Sequence, residues 1–109
     1  MREAGFFHLS ELRKSRIETE QRYFEFLRIP EMSAGIYVLA AGDRDLQSPH
    51  KQDELYYVVR GKARMQAGSD DQEIGEGSVI FVAAGVKHRF YDISEELQVM
   101  VFFAPAESI

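Results

Sequence analysis

The stretch GDRDLQSPHKQDELYYVVRG, Gly42 to Gly61, decides how this chain reads. Its second half, Glu54 to Arg60, is aromatic and β-branched and stops at a glycine, which is strand chemistry closed by a break. Its first half is a polar loop in which one imidazole, His50, stands four residues ahead of the carboxylate of Glu54. Residues an even number apart on a strand point to the same side. A strand continuing back to His50 would place His50, Glu54, Tyr56 and Val58 on one face, with Leu55, Tyr57 and Val59 on the other. A second imidazole, His88, sits in AAGVKHRFYD (Ala83 to Asp92), where Phe90 shares its face and Arg89 and Tyr91 oppose it. Two imidazoles and one carboxylate brought together inside a β-barrel would make a divalent-metal site.

Outward from this stretch the chain keeps to strands. RYFEFLRI (Arg22 to Ile29) ends at Pro30, and SAGIYVLAAG runs from Ser33 to Gly42. After ELYYVVRG come KARMQAG, QEIGEGSVIFVAAG, HRFYDI and LQVMVFFAP (Leu97 to Pro105). Turn signals near Gly42, Gly61, Gly68, Gly75 to Gly77 and Gly85 fit an all-β sandwich or barrel better than an α/β fold. Ser10 is placed to cap a short helical turn over Glu11 to Arg16. In the last strand Leu97, Val99, Val101 and Phe103 share one face and Met100 and Phe102 the other. A strand apolar on both faces needs cover on both, from the N-terminal segment, from a second sheet or from a second copy of the chain; we expect a homodimer.

The bulk numbers exclude several classes. A chain of 109 residues has room for one domain, spanning 1–109, and 45% hydrophobic with 28% charged residues is an ordinary globular composition. A formal net charge of −5 with no basic run argues against nucleic acid. With no cysteine, thiolate nucleophiles, disulfides and sulfur-ligated metals are ruled out, so any metal is held by His, Asp or Glu. No apolar run suits a signal peptide or a membrane span, and a cytoplasmic protein is the expectation.

The glycine and histidine register resembles the cupin superfamily, in its small single-domain, RmlC-like form. The first cupin motif runs from a glycine through His-x-His and a glutamate to a second glycine; here its register is filled by Gly42, Ser48, His50, Glu54 and Gly61. The second motif runs glycine, proline, glycine, histidine, asparagine, and is matched by Gly77, Ala83, Gly85, His88 and Asp92. The resemblance implies a double-stranded β-helix, a jelly-roll barrel, with His50, Glu54 and His88 as metal ligands. It implies one divalent transition metal (Fe, Mn, Ni, Co or Zn), and a pocket lined by Ser48, Tyr56 and Phe90 for a small anionic or oxygenated molecule. Ser48 stands where the family's first histidine would be, and a serine hydroxyl is a feeble donor, so water is expected in that corner. Gln47, beside the motif with opposite parity, reads as a solvated loop residue, and His8 as a surface one. No separate nucleophile or acid–base pair stands out, and catalytic residues are unassigned. Oxygenase, isomerase or lyase chemistry is the enzymatic expectation; a non-catalytic ligand- or metal-sensing module is the alternative. Without the resemblance, a buried histidine beside a glutamate is equally a metal-free hydrogen-bonded pair.

Overall fold

The computed structural model describes residues 3–108. Six strands follow one helix in the order α1 (Leu9–Thr19), β1 (Tyr23–Ile29), β2 (Met32–Leu39), β3 (Asp53–Ala67), β4 (Asp70–Gly75), β5 (Val79–Val82) and β6 (His88–Ala104). All pairings are antiparallel, in the spatial order β1-β2-β6-β3-β4, with β5 pairing β3 beside that path. The all-β jelly-roll expectation holds. No helix among the described residues is long and apolar enough to cross a membrane.

Gly61 reads as a turn residue that needs an unusual φ/ψ or a close backbone approach; it has both, but inside a long strand, β3, and Asp92 lies likewise inside β6. The two strands pair from Asp53↔Ala104 to Ala67↔His88, with three register shifts between Val58 and Arg64. Gly61 at φ 106° and Asp92 at φ 47° supply the backbone freedom for this bend. The bend is what makes a site possible. Glu54 pairs with Phe103 at one end of the ladder and His88 with Ala67 at the other. Along a straight strand those ends would lie roughly 43 Å apart at about 3.3 Å per residue; in the folded chain the two side chains are 3.1 Å apart.

The inner face carries the core: Leu39, Tyr56, Val58, Met65, Phe90, Leu97, Val99, Val101 and Phe103 are buried in one cluster. On β3 the burial alternates strictly from Asp53 to Val58, so Glu54, Tyr56 and Val58 point in and Leu55 and Tyr57 out, as the pattern predicts. The outer face is divided. Ala34, Ile36 and Val38 of β2 are buried outside the inner cluster. Helix α1 packs on β1 and β2, burying Leu12, while Arg13 donates to Gln98 of β6 at 2.8 Å. The N-terminal segment thus covers the β2 side. This helix is longer than expected and begins one residue earlier than Ser10, with His8 at its N-cap making no side-chain cap; Ser10 lies inside it. On the other side, Leu55, Tyr57, Val79 and Phe81 stay exposed and adjoin one another through the pairs Leu55↔Phe81 and Tyr57↔Val79.

Candidate metal centre

His50 reaches the site from a loop and not from an extension of β3, which starts only at Asp53. The strand continuation expected between His50 and Glu54 is therefore absent. The loop is pinned instead by the Gly85 amide, which donates to the His50 carbonyl at 2.8 Å and ties the two motif loops together. Glu54 and His88 come from the first residues of β3 and β6, and each side chain is 1% exposed. Ligand-capable atoms of His50, Glu54 and His88 all lie within 4.8 Å of one another.

The two imidazoles are oriented alike. His88 Nε2 lies 3.1 Å from Glu54 Oε2, and His50 Nε2 lies 3.8 Å from Glu54 Oε1. Each Nδ1 is engaged on the far side: that of His88 by the Val86 carbonyl at 2.9 Å, that of His50 by Glu107 Oε2 at 3.3 Å. A carbonyl and a carboxylate only accept, so each Nδ1 carries its proton outward and each Nε2 is turned toward Glu54. Burial works against a charged His88, but its hydrogen bonds to Glu54 and the Val86 carbonyl and the Glu54 charge outweigh it and raise its pKa. Tyr56 donates to Glu54 Oε1 at 2.7 Å and sits 3.1 Å from His88 Nε2. Burial and then the Glu54 charge push its phenol well above the usual range, so it stays protonated.

A cavity of about 180 Å³ adjoins this cluster, lined by Tyr23, Tyr37, Gln47, His50, Tyr56 and Glu107 with Val101 and Phe103. Of the expected pocket residues, Tyr56 lines it. Ser48 is exposed on the loop and Phe90 is buried in the core, stacked edge-on against Tyr56; neither borders the cavity. Three further residues border the site without having been expected there. Glu107 arrives on the C-terminal tail, fixed by its amide donating to Ser33 Oγ and its carbonyl accepting from Arg28. Burial first, and then the neighbouring Glu54 and Glu25, raise its pKa, with His50 partly offsetting them. Tyr23 crosses the face of Gly35, where any Cβ would lie 2.3 Å from its ring. Its hydroxyl is the buried side-chain oxygen that has no hydrogen-bond partner among the described residues, and burial raises its pKa. Gln47, read as a solvated residue, is half-buried and hydrogen-bonded on both ends of its amide.

The model of the cupin domain matches residues 35–105. The chain belongs to the cupin domain family. Among cupin relatives, an uncharacterized protein of Streptomyces coelicolor is 47% identical over 102 residues, covering 94% of this chain and 97% of that protein. The fold is similar to that of TT1209 from Thermus thermophilus, with a TM-score of 0.74 at 20% identity over 93% of this chain and 97% of that one. It is similar as well to the DMSP lyase DddQ from Ruegeria pomeroyi, with a TM-score of 0.68 at 17% identity over 80% of this chain. This cupin spans about half of the DddQ chain, 49% of it. Within the cupin fold, the donor set is chemically suited to a metal: two imidazole Nε2 atoms turned toward the interior, and one buried carboxyl group.

Proposed function

We propose that the protein binds one divalent transition metal (Fe, Mn, Ni, Co or Zn) through His50, Glu54 and His88, and takes a small oxygenated molecule into the adjoining cavity. The observation that carries this reading is the shared orientation of the imidazoles, each with Nδ1 held by an outward acceptor and Nε2 facing Glu54. A plain histidine–glutamate pair needs one imidazole turned this way; a metal needs both. Bound there, the ion supplies a Lewis acid with positions open to water or substrate.

The chain's own groups narrow the ligand. Glu107 lines the cavity and Glu54 lies behind it beside His50, which suits a molecule with at most one carboxylate over a polyanion. Tyr23 offers a free hydroxyl to a ligand oxygen, and Val101 and Phe103 provide an apolar wall. Tyr56 keeps a neutral hydroxyl beside the ligand set, which suits a hydrogen bond to a substrate oxygen on which charge develops and favours isomerase or lyase chemistry over oxygenase chemistry. The DMSP lyase of similar fold is in keeping with that preference. A sensing or binding module without turnover is the competing reading.

We propose further that a second copy covers Leu55, Tyr57, Val79 and Phe81, the apolar strip that α1 leaves exposed. The metal reading is tested by elemental analysis of the purified protein and of a His50→Ala variant. Stoichiometric metal lost in the variant is the expected result. No metal in either, after reconstitution with Fe, Mn, Ni and Zn, overturns it; oxygen consumption and product analysis with carboxylate and carbonyl substrates then separate oxygenase, isomerase or lyase, and binder.

A further inference from the structure

We infer that the side-chain amide oxygen of Gln47 is a fourth metal donor, occupying the corner for which Ser48 is unsuited; this rests on reading His50, Glu54 and His88 as a metal centre. Ser48 is exposed on the loop and does not line the cavity beside the cluster. The neighbouring Gln47 fills the space from the other side of the loop. Its Oε1 lies 3.2 Å from His50 Nε2 and 3.2 Å from the Tyr56 hydroxyl. Donors on one ion at about 2.0–2.2 Å stand roughly 2.9–3.6 Å from their neighbours, from octahedral to tetrahedral edges. The Gln47–His50 separation falls in that window, as does the 3.1 Å between Glu54 Oε2 and His88 Nε2, while the 3.8 Å between His50 Nε2 and Glu54 Oε1 lies just beyond it.

The direction of the amide is fixed by Asp45. That carboxyl is buried at 8% exposure and gathers three donors: the Tyr37 hydroxyl at 2.8 Å, the Phe90 amide at 2.9 Å and Gln47 Nε2 at 2.8 Å. A carboxylate accepts and cannot donate, so a flipped Gln47 would set two acceptors against each other. The N–H₂ end must therefore face Asp45, and the oxygen must face the cluster. Because the Phe90 amide belongs to β6 two residues past His88, Asp45 also ties this arm to the strand that carries a ligand. The result is a preoriented, uncharged oxygen donor in a set of two imidazoles and one carboxylate. Such a carbonyl oxygen is harder than the imidazole it replaces and tilts the set toward Mn or Fe over Cu.

The test uses Co(II) as the probe, followed by calorimetry and visible absorption, on the wild-type protein and the variants Gln47→Leu, Gln47→Glu and Ser48→Ala, with circular dichroism as the fold control. We expect Gln47→Leu to lose roughly tenfold or more in affinity and to change the Co(II) absorption envelope. Gln47→Glu keeps an oxygen donor and should recover the affinity, although it loses the donation to Asp45; Ser48→Ala should match wild type. Equal affinity and spectrum for Gln47→Leu and wild type overturn the inference. So does a Gln47→Glu protein no better than Gln47→Leu, since the residue would then serve only to hold Asp45. Should Gln47→Leu lose its fold, Gln47→Asn, shorter by one methylene, takes its place in the same comparison. A wild-type protein that takes up no Co(II) fails at an earlier step and removes the metal centre itself.

Discussion

Replacing Gly61 by alanine separates the bend in β3 from everything else in the barrel. At φ 106° the backbone lies beyond even the left-handed basin open to side-chain-bearing residues, and holding alanine there costs on the order of 1–3 kcal/mol. The added Cβ would also fall 2.2 Å from the Glu96 carbonyl oxygen and 2.7 Å from Leu97 Cα. Both are backbone atoms of β6 with no rotamer to yield, so the strands must part, at a further cost of about 1–3 kcal/mol by analogy with overpacked cores. The sum, roughly 2–6 kcal/mol, is a large share of the roughly 5–15 kcal/mol expected for a domain of this size. A melting-temperature drop of about 10 °C or more should follow. Urea unfolding followed by far-UV circular dichroism measures it, and Co(II) titration of the same sample reads the site. Because Glu54 and His88 hang on opposite ends of the bent ladder, affinity should fall with stability. A variant within about 0.5 kcal/mol of wild type, the scatter of ordinary surface substitutions, with unchanged Co(II) binding, would refute the claim that this bend assembles the site.

Three further outcomes follow from the geometry. Gly35→Ala places a Cβ 2.3 Å from Tyr23 Cζ and must drive the phenol toward the cavity; urea unfolding should show a loss of about 1–3 kcal/mol, with Co(II) affinity unchanged. Glu107→Ala removes the carboxylate 3.3 Å from His50 Nδ1; affinity in a competitive Co(II) titration should drop roughly ten- to hundredfold, as for other groups that orient a ligating histidine. Phe81→Glu puts a charge in the exposed apolar strip; light scattering should report a monomer, against the dimer proposed for wild type, with the circular dichroism spectrum retained.

The legible parts of the sequence were those in which one physical rule acts alone. β3 declares its faces because one side of it is buried and the other is not, and the alternation from Asp53 to Val58 reproduces that directly. His50, Glu54 and His88 were readable from their register against Gly42, Gly61, Gly77 and Gly85. Gly61 was legible as a residue of unusual backbone geometry but was placed at a turn, because a positive φ serves a turn and a bulged crossing equally well, and only the pairing partner tells them apart. Glu107 was invisible for another reason: the tail returns across β1 and β2 through contacts with Arg28 and Ser33 that no local pattern encodes. Gln47 sat within the motif and was still missed, since strand parity does not apply to a loop residue. The usable signal was a weak donor, Ser48, with a stronger oxygen donor next to it.

The energetics of Glu54 bear on why such a cluster exists at all. Its carboxyl group is buried in a barrel interior otherwise made of Val58, Val99, Val101, Phe103 and their neighbours. Removing a charged group from water costs several kcal/mol, and a well-packed apolar residue in its place is commonly neutral or stabilising. The fold therefore does not require Glu54. Nor does it require that both imidazoles present Nε2 to the same carboxyl, with a separate acceptor on each Nδ1. Tyr56 partly compensates the buried charge with its 2.7 Å hydrogen bond, but two histidines facing inward supply no further donor unless they are protonated. A divalent ion satisfies both Nε2 atoms and Glu54 at once, whereas without one the buried Glu54 carboxyl has only the Tyr56 hydroxyl and a protonated His88 to answer it.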